Sequence, residues 1–112
     1  MQTEQALAAL SALGQETRLA AFRALVQAGP AGLPVGELRE RLGLAPATLT
    51  AHLNILRAAS LVQDQREGRV IRVRAHYPHM DALLAYLTDN CCGGAAACGP
   101  SSCCPTPARP QP

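Results

Sequence analysis

Five cysteines, Cys91, Cys92, Cys98, Cys103 and Cys104, stand close together in a 112-residue chain that has no other cysteine. A thiolate is both a nucleophile and a ligand for soft ions, so such a group can capture a thiophilic metal or metalloid, or cycle between thiol and disulfide. A small disulfide-framed domain would spread its thiols through the fold to tie distant segments together. These five fall beyond the last stretch with apolar periodicity, so folding is expected to be independent of them. Grouped thiols in a reducing compartment point to ligation or redox sensing.

Arginine offers a second chemistry. All ten basic residues are Arg and none is Lys, so any phosphate contact would use guanidinium forks. A formal net charge of +2 is too small for polyanion binding by bulk charge, and the case for nucleic acid rests on the local cluster from Arg66 to Arg74. One Phe, two Tyr and no Trp leave few stacking platforms, which argues against a single-strand binder.

Positioning these groups requires a core, and the residues ahead of the cysteines suffice for one small domain. Leu7, Leu10 and Leu13 are three apart, predicting a helix over residues 5–13 that ends at Gly14. From Glu16 to about Ala28, Leu19, Phe22, Leu25 and Val26 recur at helical spacing until Gly29-Pro30 stops the pattern. Pro34, Val35, Leu38, Leu42 and Gly43 predict a third helix of about two turns. Pro46 opens a fourth, reaching about Ala59, with Leu49, Leu53 and Leu56 on one face and Thr48, Ala51 and His52 largely off it.

The period then falls to 2. LVQDQR, a Glu67-Gly68 turn and RVIRVRA predict a β-hairpin with an arginine-rich outer face. Met80, Leu83, Leu84 and Leu87 return to helical spacing up to about Asn90, so a fifth helix leads into the cysteines. The expected fold is mainly α with a β-hairpin wing (α+β), a winged helix-turn-helix of order ααααββα. Residues 1–90 would form the DNA-binding and dimerisation domain, and residues 91–112 a flexible Cys-, Pro- and Gly-rich tail. No stretch approaches the roughly 20 apolar residues of a membrane span and no secretory leader precedes the first helix, so a cytoplasmic location is expected.

Two short helices joined by Gly43-Leu44-Ala45, followed by a basic hairpin, form a winged helix-turn-helix pattern. Here the chain resembles the ArsR family of arsenic- and metal-responsive repressors. GQETRLAAFRAL is similar to that family's second helix, LAPATLTAHLNILRAASLV to its helix-turn-helix and QREGRVIRVRA to its wing. The resemblance spans residues 3–90 and implies a homodimer on double-stranded operator DNA. By position it makes Thr48, Thr50 and His52 the contacts of the recognition helix, and Arg66, Arg69 and Arg72 those of the wing. The chemistry agrees: hydroxyls and an imidazole near a helix N-terminus can bond base edges and phosphates. Two departures stand out. Ala45 replaces the Ser that usually caps the recognition helix, and Ser60 replaces a usual Gly.

The stretch matching the family's cysteine-bearing third helix, LPVGELRERL, contains no thiol, and His76, His79 and Asp89 poorly match its zinc set on the fifth helix. Cys91 and Cys92, a five-residue interval and Cys98 resemble instead an arsenite-responsive subgroup with three thiols after the final helix. The implied effector is As(III) or Sb(III). Arsenite's three hydroxyls would leave as water when three thiols bind, and soft sulfur suits the ion. Cys103 or Cys104 could add a fourth donor, which keeps Zn or Cd open, and thiol oxidation is a further alternative. An enzyme is not expected, because the tail lacks an anion-binding loop to activate a thiolate. A metalloid chaperone would need the thiols but not the arginine wing.

Overall fold

The computed structural model describes residues 1–89. The elements run α1 (Thr3–Leu13), α2 (Glu16–Ala28), β1 (Leu33–Pro34), α3 (Val35–Leu42), α4 (Pro46–Ala58), β2 (Val62–Glu67), β3 (Val70–Ala75) and α5 (Tyr77–Leu87). Five helices and a hairpin wing are as the sequence predicts. One short strand is added.

Glycine and proline set the helix limits. Gly43 ends α3 in the left-handed region at φ 65°, and the Leu44 N–H reaches back to the Arg39 carbonyl at 3.3 Å, a Schellman closure. The same closure ends α4 without a glycine: Ser60 holds φ 63° while the Leu61 N–H donates to the Leu56 carbonyl at 3.0 Å. At the other end of α4, Ala45 provides no side-chain cap and Pro46 stands in the first turn.

The sheet is antiparallel, ordered β1-β3-β2. Glu67 pairs with Val70, so the connecting residues are Gly68 and Arg69, one place later than the expected Glu67-Gly68 turn. Gly68 supplies φ 61° at the first central position, as a two-residue hairpin of the type II′ kind requires. β1 pairs Leu33 with Val73 and Pro34 with Arg72. Just before it, Gly32 lies so near β3 that a Cβ there would overlap the Val73 carbonyl oxygen and sit 2.9 Å from the Arg74 Cβ. Only glycine allows that approach.

Leu25, Leu38, Leu49, Leu53, Leu56, Leu61 and Val73 are the largest fully buried side chains, so α2, α3, α4 and β3 share one core. Each buried leucine contributes about 1.5–3 kcal/mol by leaving water. Helix α1 turns the opposite way from its leucine spacing: Ala6, Ala9 and Ala12 are buried while Leu7 and Leu10 are exposed. Small side chains let α1 approach its neighbours α2 and α4 closely, which leaves the leucines outside. On α5, Leu83 joins the core at 4% exposure, whereas Leu84 and Leu87 stay at the surface.

Candidate nucleic-acid interface

The recognition helix α4 is fixed from beneath by Leu49, Leu53 and Leu56, and this burial decides which side chains face solvent. Ala47, Thr48, Thr50, Ala51 and Asn54 are exposed, a surface of small and polar groups that can approach a duplex closely. Helical periodicity splits the three expected contacts between two flanks. Thr48 and His52 are four residues apart and share one flank. Thr50 lies on the other, toward the wing.

His52 is half-buried, and its Nδ1 lies 3.4 Å from a guanidinium nitrogen of Arg18 in α2. Thr50 lines an open groove of about 570 Å³ between α4 and the hairpin, together with Arg57, Arg69, Val70 and Ile71. Among the described residues Arg69 enters no ion pair, so its charge at the hairpin turn is available to an outside anion. Arg66 is exposed at the end of β2 and donates from Nε to the Gly68 carbonyl at 3.4 Å, a long bond across the turn.

Arg72 is placed differently from the other wing arginines. Its Nε donates to the Ala31 carbonyl at 3.1 Å and lies 3.6 Å from a Glu67 carboxylate oxygen. Its guanidinium therefore ties β3 to the loop before β1 rather than standing at the wing tip. Arg57 was not expected. Its Nε is 3.0 Å from an Asp64 carboxylate oxygen and its Nη1 donates to Asn54 Oδ1 at 2.9 Å, bracing the end of α4 against β2. Opposite charges on either side of the α4–β2 turn were the signal that could have disclosed it.

Comparison with known proteins identifies the assembly. The helix-turn-helix domain family matches residues 13–65. The structure of NolR from Sinorhizobium fredii is 31% identical, with 83% of this chain and 88% of that one covered at a TM-score of 0.62. An ArsR-like transcriptional regulator from Rhodococcus sp. RHA1 is 29% identical over 78% of each chain, with a TM-score of 0.67. HlyU from Vibrio cholerae is 28% identical, covering 82% of this chain and 99% of that one at a TM-score of 0.61. The chain belongs to the ArsR-like winged helix-turn-helix family. No curated protein sequence matches it.

As an ArsR-like transcriptional regulator with a helix-turn-helix DNA-binding domain it is not an enzyme. Among the described residues no helix is long and apolar enough to cross a membrane. Nor do any three His, Cys, Asp or Glu side chains among them lie close enough to hold a metal ion. His76 and His79 stack with centroids 5.8 Å apart, but His76 Nδ1 is engaged with the Ser60 carbonyl at 3.0 Å. The expected ligands Cys91, Cys92 and Cys98, like Cys103 and Cys104, lie outside the described residues.

Proposed function

We propose that this ArsR-like regulator is a homodimeric repressor whose operator affinity falls when As(III) or Sb(III) is bound by Cys91, Cys92 and Cys98. The observation that carries the effector is the thiol spacing itself, two adjacent cysteines and a third after five residues, placed just past the last turn of α5. Its donor set fits the ion: three sulfurs replace three hydroxyls, and each thiol proton leaves in water. Oxygen-seeking Mg or Ca would gain nothing from such ligands.

The homodimer is supported by the apolar surface. Leu7 on α1 is 61% exposed and Leu87 on α5 is 53% exposed, with Leu10 and Leu84 also at the surface. The two helices are joined by a hydrogen bond of 2.6 Å between the hydroxyls of Thr3 and Tyr86. Exposed leucines on two adjoining helices are thus offered to a second copy, and a two-fold pair of recognition helices would read half-sites roughly 34–36 Å apart. Release requires only that the effector bind the DNA-incompetent form better, and α5 connects the thiols to that dimer surface.

Operator release titrated with arsenite in gel-shift experiments tests the reading. Cys91→Ser, Cys92→Ser and Cys98→Ser should each abolish release while leaving operator affinity intact, and Cys103→Ser and Cys104→Ser should have little effect. Normal release from all three of the first set defeats the assignment. Response to zinc or cadmium that depends on Cys103 or Cys104 would replace it with a four-coordinate site.

A further inference from the structure

The flank of α4 that carries Thr48 and His52 meets a side chain that is itself held in place. Arg18, in the first turn of α2, donates its backbone N–H to Oε1 of Gln15 at 2.9 Å and its Nε to the Ala12 carbonyl at 2.7 Å. The guanidinium is thereby pinned across the α1–α2 junction, and its Nη1 comes 3.4 Å from Nδ1 of His52. A guanidinium carries five N–H groups and no lone pair, so it can only donate. Nδ1 of His52 must accept, and the ring proton is then on Nε2. Nε2 has no partner among the described residues, and it is not one of the buried, unpaired polar atoms, a class that contains only Nε2 of His79 there. The Nε2 edge of His52 is therefore not sealed in the core, and it lies on the same flank of α4 as the exposed Thr48.

We propose that Arg18 is a positioning residue for operator binding, holding His52 as the Nε2–H tautomer so that the outer edge of its ring is a hydrogen-bond donor. The acceptors it suits are phosphate oxygens and the N7 or carbonyl edges of bases in the major groove. An Nδ1–H ring would point its donor at a cation and offer a lone pair to a surface of negative charge, which repels it. Arg18 thus acts on DNA only through His52. This inference rests on the reading of His52 as an operator contact.

Nitrogen-15 NMR of the neutral His52 ring in the full-length protein, combined with operator titrations, tests both steps. The wild-type ring should show its proton on Nε2. Arg18→Lys, still a pure donor, should preserve that state, while Arg18→Gln, whose side-chain oxygen can accept from Nδ1–H, should shift the ring toward the other tautomer. Arg18→Gln should weaken operator binding about 10-fold when His52 is present and less than about two-fold in a His52→Ala background. A wild-type ring protonated on Nδ1, or an equal loss in both backgrounds, overturns the inference. Unchanged affinity in His52→Ala alone overturns the operator-contact reading and this inference with it, and the ring spectrum distinguishes that failure from a wrong tautomer. The wild-type spectrum needs no substitution, so a poorly folding variant does not rescue the idea.

Discussion

Ser60 occupies the left-handed position at φ 63° that closes α4, a conformation costing a non-glycine residue about 1–2 kcal/mol. The position matters because the Ser60 carbonyl accepts from His76 Nδ1 at 3.0 Å and the Leu61 carbonyl from the His76 N–H at 2.8 Å. The end of the recognition helix and the start of α5 are thus joined through backbone groups that any residue at 60 retains. Ser60→Gly removes the strain but adds freedom to the unfolded chain, worth about 0.4–1 kcal/mol against it. The expected net effect is a stabilisation of about 0.5–1 kcal/mol, read as a higher urea midpoint at unchanged slope. A lower midpoint would mean that the serine side chain stabilises the turn in its own right.

At the scale of elements, the recognition helix begins as it ends, with a residue that does less than the position allows. Ala45 has the extended backbone of an N-cap, φ −68° and ψ 150°, but no side chain to accept from the first-turn N–H groups. Ala45→Ser should add about 0.5–1 kcal/mol of stability, visible as a raised melting temperature, because the backbone is already in the capping conformation. That gap was legible in the sequence, as were α2, α3 and α4 to within about a residue, since leucines at period 3.6 are bounded there by Gly29-Pro30, Gly43 and Pro46. Strand β1 was not, because two residues carry no alternation and their partners, Val73 and Arg72, come from far along the chain. On α1 the alanines rather than the leucines are buried, because close helix approach favours the small side chain. For the site, exposure of Thr48 and Thr50 followed from their places off the leucine stripe. The diversion of Arg72 to the carbonyls of Ala31 and Gly32 could not, since those acceptors lie in a loop some forty residues earlier.

For the whole molecule, the single chain leaves apolar side chains uncovered on several elements. Leu7 and Leu10 on α1 and Leu84 and Leu87 on α5 are exposed, as are Leu19 on α2, Ile55 on α4 and Val70 and Ile71 on β3. A protein with an apolar patch on one pair of helices and a nucleic-acid surface on another can join two copies without obstructing either DNA-reading unit. In the proposed dimer the patch also multiplies affinity, because once one recognition helix is docked its partner is held near the second half-site. Replacing Leu10 and Leu84 together by Asp introduces charge at positions that are 41% and 45% exposed, so the isolated fold should lose little stability. Sedimentation should then show a monomer at concentrations where the parent is dimeric, and operator affinity should fall by about 100-fold or more as the linked second contact is lost. Binding to a single half-site should change little, and that contrast separates a broken dimer from a damaged recognition helix. A double variant that stays dimeric, or a monomer that binds the full operator as tightly as the parent, would place the pairing surface elsewhere.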